Sequence, residues 1–237
     1  MARLSVNLNK IALIRNSRGA NLPDLLKVAL DCEEFGAQGI TIHPRPDERH
    51  AKFSDIEILK NNIKTELNIE GFPNKHFIDA VLKHKPNQVT LVPDPPDALT
   101  SNTGWDTIAY GNFLFDIISE FKKAEIRTSI FINPELTMIE EAPKTGTDRI
   151  ELFTGPYSSD YWKDKKKAIE PYIEASKMAN KLGLGLNAGH DLNLDNLTYF
   201  KENVNELLEV SIGHALICDS IYFGLKNTIQ MYLNRLQ

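Results

Sequence analysis

Cysteine is scarce in this sequence: Cys32 and Cys218 are the only two in 237 residues. That excludes a disulfide framework. Both sit in apolar, helix-like contexts, so they are expected to be reduced core residues of a cytosolic protein, not a bridge or a metal site. Long apolar runs are missing too, so no membrane span is expected, and the opening MARLSVNLNK has no signal-peptide core. Positive charge is not in excess. A formal net charge of −5 argues against a general nucleic-acid surface, though it says nothing about a local basic cleft. No Gly-rich P-loop, Gly-x-Ser-x-Gly elbow, His-Glu-x-x-His or cysteine pair occurs, and His43-Pro44-Arg45 is not the His-x-His of metal-dependent hydrolase barrels. No Asp or Glu cluster suits an obligatory magnesium ion. Repeats, low-complexity tracts and linkers are also absent, so residues 1–237 are expected to form a single domain.

What the sequence does have is alternation. Short apolar segments are expected to be strands at Leu4 to Leu8, Gly39 to His43, Leu67 to Glu70, Gln88 to Val92, Arg127 to Ile132, Arg149 to Phe153, Gly185 to Ala188 and Leu207 to Ile212. Helical patterns follow them. One starts at Pro23-Asp24 with Leu25, Val28, Ala29 and Cys32 on one face, and another is capped by Ser54-Asp55. Further helices are expected over Asn74 to Lys83, Gly111 to Ala124, Asn133 to Ala142, Lys163 to Leu182, Asp195 to Glu202 and Ile217 to Leu236. Eight strand–helix units in unbroken order give an α/β chain with a parallel sheet, and eight favour closure into a (β/α)8 TIM barrel. The strands read as apolar on both faces, as a sheet enclosed by helices requires. An open doubly wound sheet is the alternative, and no Gly-x-Gly-x-x-Gly follows the first strand to support it.

In such barrels the reactive groups lie at the C-terminal ends of the strands. Those ends carry Asn7, Asn9 and Lys10 after strand one; His43, Arg45 and His50 after strand two; and Glu70 on strand three. Thr100 lies in the loop after strand four, His190 and Asp191 follow strand seven, and Gly213-His214 follow strand eight. Four of the six histidines therefore share one rim. A single histidine at a strand end is usually structural. Four, together with a carboxylate that burial can tune, point to several proton transfers. The glycine-containing ends of strands seven and eight suit a phosphate held by backbone N–H groups and a helix N-terminus. Arg45 and His50 are placed to hold a second anion. On spacing alone Arg18 is a solvated charge of the long loop after strand one. The Pro93 to Trp105 stretch is a candidate lid.

These residues also carry a resemblance. Asn7-Leu8-Asn9-Lys10-Ile11-Ala12, Arg15-Asn16-Ser17-Arg18-Gly19, Gly39 through His50, Leu67 through Glu70, Leu91-Val92-Pro93, Asn187-Ala188-Gly189-His190 and Ile212-Gly213-His214-Ala215 resemble the pyridoxine 5′-phosphate synthase family, in order along the whole chain. The resemblance implies a (β/α)8 barrel with additional helices, assembled as a homo-octamer from dimers. It implies a transferase-type ring-forming synthase of vitamin B6 biosynthesis that needs neither metal nor organic cofactor. The implied reaction condenses 3-amino-2-oxopropyl phosphate with 1-deoxy-D-xylulose 5-phosphate. His43 and Glu70 are implied proton acceptors and His190 a proton donor. Asn7, Arg18, Asp191, Gly213 and His214 are implied at the aminoketone phosphate; Asn9, Lys10, Arg45, His50 and Thr100 at the pentulose phosphate. The chain departs from the family at two places. Asn9-Lys10 replaces the usual Asp-His, and Asp191 replaces the usual Gly. Asp191 is expected to offer its backbone N–H and turn its carboxylate away, as a cap for the next helix. Two other readings set against this one are an aldolase or isomerase acting on one phosphorylated sugar, and a non-catalytic phosphoester sensor.

Overall fold

The computed structural model describes residues 2–94 and 100–237. Eight strands, β1 (Arg3–Asn7), β2 (Gly39–Ile42), β3 (Glu66–Gly71), β4 (Gln88–Leu91), β5 (Arg127–Ile132), β6 (Arg149–Phe153), β7 (Gly185–Gly189) and β8 (Leu207–Ile212), form a closed barrel in sequence order. Every pairing is parallel, and β1 closes the ring by pairing with β8. The helices are α1 (Asn9–Asn16), α2 (Leu25–Glu34), α3 (Phe53–Asn62), α4 (Lys75–His84), α5 (Gly111–Lys123), α6 (Leu136–Glu141), α7 (Gly155–Lys181), α8 (Leu197–Asn203), α9 (His214–Phe223) and α10 (Leu225–Arg235), with a 3-10 turn at Ala142–Thr145 after α6. The expected barrel with additional helices is therefore the observed fold.

The two-residue period of a strand decides which side chains face where. On β1 to β3, Leu4, Val6, Ile40, Ile42, Leu67 and Ile69 are fully buried and belong to the apolar core. Burying a side chain of this size contributes about 1.5–3 kcal/mol. The residues between them, Ser5, Thr41 and Asn68, are polar, equally buried, and bonded to one another: Ser5 to Thr41 at 2.7 Å and Asn68 to Thr41 at 3.4 Å. Thr90 of β4 continues the series by donating to Asn68 at 3.1 Å. The strands are thus not apolar on both faces, as their sequence suggests. One face is apolar and the other is a buried polar face, and continuing that polar period one step past Ser5, Thr41 and Asn68 arrives at Asn7, His43 and Glu70.

Four helical expectations change. Residues Asn9–Asn16 form α1, where no element was expected. Its buried residues are Ala12 and Arg15, and it has no side-chain cap, so it shows no amphipathic stripe. Arg15 is satisfied by Asp55 of α3 at 2.7 and 3.0 Å. Helix α7 begins at Gly155-Pro156, eight residues before the expected Lys163, and is kinked at Asp164 (φ −159°, ψ 89°). The Asp164 carboxylate accepts from the N–H groups of Lys166 and Lys167, so it caps the second segment, which is the one visible in the sequence. The helix expected over Asn133 to Ala142 is the shorter α6 and the 3-10 turn. The long last helix is two, divided at Gly224, whose φ of 77° is a left-handed conformation that glycine adopts without cost. Cys32 is buried on α2 as expected, but Cys218 is exposed on α9 and is not a core residue. Among the described residues no helix is long and apolar enough to cross a membrane.

Candidate active site

At the C-terminal mouth of the barrel lies a cavity of about 430 Å³, within the ~300–1,000 Å³ typical of small-molecule sites. Its lining includes every expected site residue except Arg18. Arg18 is exposed just beyond α1, so this chain's own Arg18 does not reach the mouth. The lining also includes residues the sequence reading missed: Val92, Ser101, Phe131, Glu151 and Ser211. Glu151 had a visible signal, a carboxylate alternating with Ile150 and Leu152 inside an apolar strand. Of the candidate lid, residues 95–99 lie outside the described residues. Its flanks are anchored: Trp105 is buried and donates through Nε1 to the Leu91 carbonyl at 3.0 Å, and Ser101 donates to Asp94 at 2.6 Å.

The two asparagines of β1 and α1 brace the site. Asn7 donates to Glu70 Oε2 at 3.3 Å and accepts from the Asn9 N–H at 3.0 Å. Asn9 in turn accepts from the His43 backbone N–H at 2.9 Å. The ring of His43 stands 3.9 Å from Glu70, near it but not hydrogen-bonded to it. Burial holds His43 well below the ordinary histidine range, and the positive charges of Arg45 and Arg49 and the nearby His50 push the same way. His43 is therefore a neutral imidazole, able to accept a proton. Burial likewise lowers His50 to about 4, helped by Arg45 and Arg49. Its Nδ1 accepts from the Ala51 N–H at 2.9 Å, so its proton sits on Nε2.

Glu70 is the counterpart on β3. Burial pushes its carboxyl up to about 7, and Asp94 adds to this, while His190, a hydrogen bond from Ser211 and Arg45 oppose it. It can therefore take up and return a proton near neutrality. Glu151 is pushed well above the ordinary carboxylate range by its own burial and by Glu70 and Glu209, against a hydrogen bond that it accepts from the Thr90 hydroxyl at 3.4 Å. Gly189 makes room for it: a Cβ at that position would lie 2.1 Å from Glu151 Oε1.

The ends of the cavity suit anions. Arg45 is buried and holds Asp94 at 2.6 Å, with His50 beside it. Across the mouth, Gly213 is the N-terminal flank of α9 and provides no side-chain cap, so the first-turn N–H groups of that helix have no partner within it. His214 and Lys10 line the same cavity. His190 is bonded at both ring nitrogens, to Asp191 at 2.8 Å and to Thr100 at 2.7 Å. The expected helix cap is thus not what Asp191 provides. Its carboxylate does not cap α8, whose N-terminal flank is Asn196; it is drawn to the adjacent imidazole.

Residues 4–237 match the family model described as pyridoxal phosphate biosynthesis protein PdxJ. The chain is 61% identical over 237 residues to the pyridoxine 5′-phosphate synthase of Cytophaga hutchinsonii, covering all of both chains. It is 60% identical over 232 residues to that of Parabacteroides distasonis, covering 98% of each. Among solved structures, it resembles the 3-keto-L-gulonate-6-phosphate decarboxylase of Vibrio cholerae, with a TM-score of 0.67 at 10% identity over 99% of this chain and 97% of that one. The phosphoribosyl anthranilate isomerase of Thermotoga maritima gives a TM-score of 0.62 at 14% identity over 100% and 98%. These two likenesses establish the fold alone.

Proposed function

Because the chain belongs to the family of pyridoxal phosphate biosynthesis protein PdxJ, we propose that it is a transferase-type synthase that condenses 3-amino-2-oxopropyl phosphate with 1-deoxy-D-xylulose 5-phosphate to form pyridoxine 5′-phosphate, phosphate and water. The observation that carries this reading is the convergence of His43, Glu70 and His190 on one cavity with Glu70 tuned to about 7. The amine of one substrate attacks the ketone of the other. Imine and enamine formation, phosphate loss, ring closure and dehydration each move a proton. Neutral His43 and ionised Glu70 accept protons, and His190 donates one. Lys10, Arg45, His50 and Thr100, with Asn9, face the pentulose phosphate; Asn7, Gly213 and His214, with Asp191 beside them, face the aminoketone phosphate. No step calls for a metal or organic cofactor. The reading extends to a cytoplasmic homo-octamer, for which exposed apolar side chains such as Ile221, Tyr222 and Trp162 offer contact surface.

The test mixes purified protein with both substrates, without added metal, and follows pyridoxine 5′-phosphate by absorption and mass together with released phosphate. Glu70→Gln and His43→Asn are expected to fold and to lose about 10²–10⁴ of turnover. Normal turnover by both variants would reject the assigned roles. Conversion of a single phosphorylated sugar with no amine present would replace the reaction with an aldolase or isomerase.

A further inference from the structure

His190 is held from both sides, and the two sides are not equivalent. An ionised carboxylate only accepts hydrogen bonds, so the 2.8 Å contact between His190 Nδ1 and Asp191 Oδ2 puts a proton on Nδ1. The other nitrogen, Nε2, then faces the cavity, where the Thr100 hydroxyl lies 2.7 Å away. The connectivity is hydroxyl, imidazole, carboxylate, the order in which a carboxylate fixes the working tautomer of a catalytic histidine. We propose that Asp191 is a positioning residue for His190: it holds the ring as the Nδ1–H tautomer, aims Nε2 at the reacting atoms, and balances the imidazolium from which the proton is given.

The backbone argues that the carboxylate is kept for its side chain. His190 and Asp191 have φ of 75° and 49°, two successive left-handed residues where glycine is favoured. The turn is fixed without the Asp191 side chain. Thr154 Oγ1 donates to the carbonyls of Gly189 and His190, Leu192 N–H to the His190 carbonyl at 2.7 Å, and Asn196 to the Asp191 carbonyl at 3.3 Å. Among the described residues, the His190 ring is the hydrogen-bond partner of the carboxylate.

Charge gives a second, independent argument. A bare carboxylate beside a phosphate site would repel the substrate. Here the hydrogen bond from His190 holds Asp191 below the usual carboxylate range despite its partial burial, and the charges of His190, His214 and Lys10 act in the same direction. Lys10 lines the same cavity as Asp191, and its positive charge partly offsets the carboxylate. Around the ring itself stand Glu70, which senses its charge, the hydroxyl of Thr100, and the Phe153 ring, nearly perpendicular to it with centroids 5.4 Å apart.

The inference rests on the reading in which His190 gives a proton during ring formation, and its test separates the two. Nitrogen-15 NMR of histidine-labelled protein at alkaline pH is expected to show His190 protonated on Nδ1. In Asp191→Gly, a variant the left-handed backbone accommodates, the Nε2–H form should dominate. Asp191→Asn, which keeps an acceptor but loses the charge, should lie between. In the ring-forming assay Asp191→Gly should lower kcat about ten- to a hundredfold, part of the ~10²–10⁴ a general acid supplies, while KM for the aminoketone phosphate should stay level or fall, since an anion beside the phosphate is removed. In a His190→Asn background the same substitution should cost no further kcat, since it acts only through the ring. An unchanged tautomer in Asp191→Gly, additive losses in the double variant, or an altered KM for the aminoketone phosphate with kcat intact would each overturn the inference. Failure of the wild-type protein to form product would instead reject the ring-forming reading, and the NMR result would still decide whether Asp191 sets the ring.

Discussion

At the scale of single residues, the site depends on acids and bases moved away from their ordinary ranges by burial. Glu70 is brought to about 7. As a proton acceptor it must be ionised, so turnover should be low below pH 7 and rise as pH passes through that value. Asp94 contributes to the upward shift, and Arg45, which Asp94 partly neutralises at 2.6 Å, opposes it. Replacing Asp94 with Asn removes the anion and leaves the cation, and both changes favour ionised Glu70. The acid limb of the pH–rate profile for Asp94→Asn should therefore move to lower pH; a limb that stays in place or moves up would show that another group controls it. The identities of His43, Glu70 and His190 were legible in the sequence because each stands where an apolar strand gives way to polar loop. Their ionisation states were not, since these depend on burial and on charges such as Asp94 that approach from other parts of the chain.

At the scale of elements, the strand period explains what was read correctly and what was missed. Leu67-Asn68-Ile69-Glu70 and Ile150-Glu151-Leu152 have the same pattern, yet only Glu70 was identified, because it stands where the apolar run ends at Gly71 while Glu151 lies in mid-strand. The barrel places both on the inward face, where β7 must leave space for Glu151. Gly189→Ala is expected to fail for that reason: the added Cβ meets a buried carboxyl oxygen at 2.1 Å, with the Ser211 carbonyl 3.5 Å away on the next strand. Overpacking of this kind costs about 1–3 kcal/mol, or roughly 2–12 °C in melting temperature for a chain of this size, and turnover should fall as well because His190 is the next residue. A variant with unchanged melting temperature and activity would mean that Glu151 has room the geometry does not indicate. Helix α1 escaped notice for the opposite reason: its packing rests on a buried ion pair between Arg15 and Asp55, and ion pairs leave no hydrophobic period to read.

At the scale of the whole molecule, one expected residue has no place in the chain's own site. The resemblance assigns Arg18 to a substrate phosphate, but Arg18 is exposed outside the cavity it would serve. Sequence could not reveal this, because spacing along a loop does not say whether a charge meets the barrel mouth or solvent. The proposed octamer resolves the conflict if Arg18 of one subunit reaches the mouth of another. Its charge would then act between chains, and two differently damaged proteins should repair one another. Arg18→Ala and Glu70→Gln are each expected to turn over at least about tenfold more slowly than wild type, as loss of a charge-assisted phosphate contact or of the proton acceptor predicts. Dissociated and reassembled together, they should regain part of the lost turnover, since some mouths would combine an intact Glu70 with an intact Arg18. Recovery should be absent when the same two proteins are mixed without subunit exchange. If exchange is demonstrated by mass and activity still equals the sum of the separate variants, Arg18 does not act across subunits, and its assignment to phosphate is rejected with it.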